Sequence, residues 1–164
     1  MHACYGDAAK KILRLYPGKS GEKLTAAISR FVTDAWFVHP SRQLLDGMAQ
    51  VSSPAYQYQF SRSHPTKPDL GAPHAIDVRY VFNTLDESFD SDADNTLANH
   101  VTDYWVQFAK AGNPNTENLP PWPEYKLKQA AYLDFDLDIK VGNHLNQQAF
   151  EQLEAANLKL SGVE

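Results

Sequence analysis

Histidines, carboxylates and glycine loops are the groups in this chain with chemistry to offer, and their spacing decides which could act. His74 stands in "GAPHAIDVRYVF", residues 71–82, between a Gly-Ala-Pro turn and an apolar run. A histidine at the end of a loop can serve as a general base, provided a nucleophile and an orienting acid are supplied. No Gly-x-Ser-x-Gly elbow occurs in the 164 residues. "GKSGE" at 18–22 comes near it, but glutamate stands where that crowded turn needs its second glycine. As a phosphate loop the same stretch lacks the earlier glycine and a preceding strand, so it reads as a loop leading into a helix.

Metal chemistry finds less support. "DSDADN" sets Asp90, Asp92 and Asp94 at alternate positions, as a calcium loop would. Its sixth position is Asn95 rather than glycine and its twelfth is Val101 rather than a bidentate glutamate, so a solvated acidic helix start is the better reading. His2 with Cys4 is a weak pair at a loose end, and no His-Glu-x-x-His occurs. Neither a metal nor a cofactor is therefore expected. Asp134, Asp136 and Asp138 could suggest paired carboxylates, but an edge strand that blocks edge-to-edge pairing with charge accounts for them more simply. His39, His64, His100 and His144 read as surface or internally satisfied histidines.

These groups must be held by elements, and the first fifty residues look helical. "YGDAAKKILRLYP" carries Ile12, Leu13 and Tyr16 at helical spacing and stops at Pro17-Gly18. Leu24, Ile28, Phe31 and Ala35 form a second stripe, and a third helix spans about 34–48, with Pro40 near its start or kinking it. At "SPAYQYQFSR" the period becomes two, with Tyr56, Tyr58 and Phe60 on one face: a strand. About twenty residues of little periodicity follow and include His74; long loops of this kind are often functional. The clearest helix is "TLANHVTDYWVQFAKAG", with Leu97, Val101, Trp105 and Phe108 inward, Asp94 or Asn95 as its cap and Gly112 as its stop. "LPPWPEY" is a rigid connector, "YLDFDLD" a short strand with Leu133, Phe135 and Leu137 on one face, and the tail from Asn146 a helix with Phe150, Leu153 and Leu160 inward. Two strands beside some five helices make a marginal sheet unless others join them.

Composition bounds the rest. With 43% hydrophobic residues the chain can bury a core, and Cys4, its lone cysteine, allows no internal disulfide. A net charge of −5 gives no basic footprint for nucleic acid, and no apolar run approaches the roughly 18 residues a membrane helix needs. Neither partner is expected. No repeat or domain boundary is evident, so residues 1–164 read as a single segment.

Taken in order, six pieces resemble the C-terminal part of a type-B carboxylesterase, the family of para-nitrobenzyl esterases and cholinesterases. "YGDAAKKILRLYP" is similar to the helix after the catalytic acid in bacterial members. Thr33, Asp34, Phe37, Pro40 and Arg42 match the family's Thr-Asp-x-x-Phe-x-x-Pro-x-Arg segment, and "AYQYQFSR" its Tyr-x-Tyr-x-Phe strand. "GAPHAIDVRYVF" resembles the segment that carries the family's catalytic histidine, which falls on His74. "YWVQFAKAGNPN" with "LPPWPEY", and then "YLDFD", match the remainder. Ala75 replaces the usual glycine, Asp77 the usual glutamate that supports the site, and Arg79 stands where proline is common.

The resemblance implies an α/β fold: the C-terminal segment of an α/β-hydrolase, mostly helical, with two or three short strands. It also implies that nucleophile, oxyanion hole and acid lie upstream, and that His74 is the base acting on a small-molecule ester. The isolated chain is then expected to be inactive, and to pair with a second copy or pack in a rearranged, mostly helical way. The competing expectation is a non-catalytic binding or adhesion module of the same fold, as in the neuroligins, or the product of a truncated frame.

Overall fold

A computed structural model describes residues 5–89 and 91–160, with the side chains of 158–160 excepted. His2, Cys4, Asp90 and the side chain of Leu160 lie outside the described residues. The chain divides into two compact units, residues 1–47 with 145–164 and residues 48–144. No shift in composition marks either boundary.

In the first unit a 3-10 turn, Gly6–Ala8, leads into α1 (Ala9–Leu13), followed by α2 (Gly21–Thr33), a π-helical turn (Asp34–Val38) and α3 (His39–Met48). The last helix among the described residues, Gln147–Leu160, also belongs to it. Ser20 precedes α2 in extended conformation, as a loop leading into a helix requires. The π turn has a local cause. Pro40 has no N–H for the Trp36 carbonyl, and its ring would crowd that carbonyl in a regular helix. The chain widens by one residue instead, and His39 N–H bonds Asp34 O. Ile12, Tyr16, Ala27, Ala149, Leu153 and Ala156 form this unit's core. Buried Asp34 accepts from the Tyr16 hydroxyl at 2.8 Å and from Asn146 Nδ2 at 2.6 Å. His39 is a satisfied internal histidine, its Nε2 2.8 Å from Glu154 Oε2. Arg42 donates to Gln147 at 2.8 Å and lies over the Phe150 ring. The expected stripe on α2 is only partly realised: Ala27 is its buried residue, while Leu24 and Ile28 are exposed, as is Leu13 of α1. Periodicity marks an apolar face, not where its cover lies.

The second unit is built on a three-stranded sheet of order β1-β2-β3: β1 (Tyr58–Phe60), β2 (Ala131–Phe135) and β3 (Lys140–Asn143). The β1 and β2 strands are parallel, Tyr58 opposite Leu133, so a long crossover must join them. It contains α4 (Ile76–Val81) and α5 (Asp92–Ala111). Thus α6 is the terminal helix Gln147–Leu160. Antiparallel β3 sets Asp134 opposite Lys140, and "YLDFD" is consequently the central strand, not the edge strand expected. Its aspartates are not edge guards: Asp134 lies within the sheet, and Asp136 and Asp138 follow it in the bend to β3. Gly142 lies beneath the Tyr132 ring, in space that a Cβ would occupy.

Alternation on β2 buries Ala131, Leu133 and Phe135, although Leu137 is exposed beyond its end. Trp122, from the proline-rich connector, packs edge-on against Tyr56, Tyr58, Tyr104 and Phe135, and its indole N–H donates to Gln57 O at 2.8 Å. Leu97 and Val101 of α5 are buried as expected, but Phe108 is exposed and Tyr104 takes the inner place. Gly112 closes α5 with φ 67°, the left-handed stop. The cap at its other end is Ser91, not Asp94 or Asn95: its hydroxyl accepts from Asp94 N–H at 3.0 Å. Nor is Asp94 a solvated acid, for it is fully buried. The long loop after Phe60 also contains more structure than expected, because residues 76–81 coil into α4. Six residues are too few for periodicity to announce a helix, and tertiary anchors hold it.

Candidate functional site

His74 lies in the exposed turn that opens α4. Ala75, at the helix N-cap, has φ 65° and ψ 12°, a left-handed conformation, and Pro73 O accepts from Ile76 N–H at 3.1 Å. The turn therefore reverses over His74-Ala75, and both residues are exposed. Asp77, in the first turn of α4, accepts from the Tyr58 hydroxyl at 2.8 Å and so ties the helix to β1. Burial, with the Asp77 carboxylate beside it, pushes the Tyr58 hydroxyl well above its ordinary range.

The other end of α4 is held from two sides. Thr102 of α5 donates its hydroxyl to the Tyr80 and Val81 carbonyls at 3.0 and 3.2 Å. Buried Tyr80 donates its own hydroxyl to Asp94 Oδ1 at 2.8 Å. That carboxylate also receives Arg62, whose Nε reaches Oδ1 at 2.7 Å and whose terminal nitrogen reaches Oδ2 at 2.9 Å, and the Ser91 hydroxyl at 2.7 Å. Burial alone would raise the Asp94 pKa, but the bonds from Arg62, Ser91 and Tyr80 outweigh it and bring the carboxyl down to about 2. The bond to Asp94 raises Arg62 in turn.

The structure thus brings Asp77 and His74 onto one turn and the start of its helix, and joins Asp77 to Tyr58. His64, in the preceding loop, packs at a tilt against Phe89 with ring centroids 4.8 Å apart. Among the described residues no group of three His, Cys, Asp or Glu side chains is placed to hold a metal ion, and no helix is long and apolar enough to cross a membrane. The Arg62–Asp94–Tyr80 cluster is absent from the sequence reading. One signal for part of it was there: Ser91-x-x-Asp94 has the spacing of a capping box, which marks both the cap and the acid beside it.

Residues 4–153 match the family described as the carboxylesterase family. The chain belongs to that family. Among this carboxylesterase-family chain's relatives, carboxylesterase 4A of Bos taurus is 32% identical over 120 residues, covering 70% of this chain and 22% of that protein. Bile salt-activated lipase of Rattus norvegicus is 30% identical over 133 residues, 73% of this chain and 21% of that protein. The chain therefore spans about a fifth of the length of these curated relatives. Among solved structures, a PNB esterase superposes with a TM-score of 0.75 at 28% identity, over 93% of this chain and 31% of the esterase. The fold is the expected one: part of an α/β-hydrolase, mostly helical, with a small sheet.

Proposed function

We propose that this chain is the histidine-bearing part of a carboxylic-ester hydrolase, with His74 as the general base. The observation that carries the reading is the exposed His74 turn, on a helix anchored to β1 through Asp77 and Tyr58, within a family match that spans it. A serine from outside these 164 residues attacks the ester carbonyl. His74 takes its proton and later delivers it to the leaving alcohol. An acid, also from outside, holds the imidazole in the tautomer whose other ring nitrogen accepts the serine proton. The substrate is a small-molecule ester, and the proton relay calls on no cofactor. Asp77 supports the turn, its Oδ2 accepting from the Tyr58 hydroxyl of β1.

The test has two parts. The purified 164-residue chain is expected to hydrolyse p-nitrophenyl acetate no faster than buffer, since it contains no Gly-x-Ser-x-Gly elbow. In a longer chain that also carries that elbow and an acid, His74→Ala is expected to lower kcat by at least about 10⁴-fold. Turnover by the short chain that vanishes in His74→Ala would overturn the division of labour. A longer chain that keeps its activity after His74→Ala would remove His74 from the chemistry, and a longer chain with no ester turnover at all would favour a binding module of the same fold.

A further inference from the structure

The turn that carries His74 opens a helix of six residues, too short to hold its own shape in water. Its direction must come from outside. Asp94, which has no exposed surface, collects donors from three separate parts of the second unit: Arg62 from the segment after β1, Tyr80 from α4 and Ser91 from the cap of α5. A carboxylate buried with a bidentate guanidinium and two hydroxyls fixes the angle between the elements that supply them, because each lost bond would leave a buried charge under-satisfied. Arg62 is locked to this place, its side chain 18% exposed. Tyr80 donates its one hydroxyl to Asp94, so α4 is tied to the cluster four residues, about 6 Å, along the helix axis from its first residue, Ile76.

We propose that the Arg62–Asp94–Tyr80 cluster is a positioning device for His74, setting the direction of α4 and thereby the place of the imidazole. The proposal rests on the reading of His74 as the base. Arg62, Asp94 and Tyr80 are positioning residues that act through the helix and touch no reacting atom. The bland alternative is that the cluster adds stability and nothing more.

Isotope-labelled 164-residue chain separates the two. Tyr80→Phe removes the hydroxyl and keeps the ring in the core. It is expected to retain the sheet's amide signals and a cooperative thermal transition, while amide exchange in α4 speeds up at least tenfold. The His74 imidazole correlation is expected to shift and broaden as the ring samples several places. Where Tyr80→Phe does not fold, Arg62→Lys carries the same expectation, since it keeps the charge and loses the two-pronged bond. An imidazole signal that overlays the native one in the folded variant would overturn the proposal, whether or not α4 exchange had changed. Neither readout depends on ester turnover. An unmoved His74 signal sinks the positioning role even where the esterase test succeeds, and a failed esterase test leaves this measurement standing.

Discussion

Ala75 holds the left-handed conformation that side chains resist, at the position where the family resemblance has glycine. The Cβ of an L-residue costs about 1–2 kcal/mol there, while glycine gives back roughly 0.5–1 kcal/mol in the greater freedom of its unfolded chain. Ala75→Gly is therefore expected to stabilise the chain by about 0.5–1 kcal/mol, read as a higher urea midpoint with an unchanged slope. A midpoint that falls would mean that the Ala75 methyl makes a contact worth more than the strain. At this scale the candidate base was legible from its surroundings, a histidine between a Gly-Ala-Pro turn and an apolar run. Its exposure and the left-handed residue beside it were not, since both depend on where the backbone turns back. Asp94 was misread for a related reason: a carboxylate in an acidic run gives no hint that an arginine thirty-two residues earlier will cover it.

Between elements, the Asp94 cluster makes an acid-sensitive joint among α4, α5 and the segment after β1. The native pKa, near 2, lies below the ordinary 3.8, so the native state binds the proton less readily than the unfolded chain does. The stabilisation is complete above about pH 4 and is lost as pH falls through that value towards 2. Asp94→Asn mimics the neutral form. The stability gap between the native chain and this variant is expected to be widest near neutral pH and to shrink between pH 4 and 2, followed by denaturant unfolding at each pH. A gap constant over that range would show that Asp94 does not carry the charge in the joint. Element types were largely legible, because α5 and β2 each have a clear period, 3.6 and 2. The short β3 and α4 were not: four and six residues give too few repeats to show a face.

Over the whole molecule, β1 has one strand neighbour among the described residues, with Tyr58 37% exposed beside it. An unpaired strand edge beside an exposed aromatic is a template for pairing with another chain. The chain is expected to associate with a second copy as its concentration rises, in sedimentation velocity at neutral pH. A sharp single-chain boundary at every concentration would count against that. Sequence by itself determined the class of the molecule: ordered segments that match one family and an α/β composition, with His74 as a candidate base. Those are properties of residue type and local spacing, which neighbours along the chain are enough to set. Only the tertiary structure decided that β2 is central, that Leu24 and Ile28 face outward, and that Arg62, Tyr80 and Asp94 share one buried site. Each of these depends on contacts between residues far apart in the chain, where no local period carries the information and packing alone selects the partner.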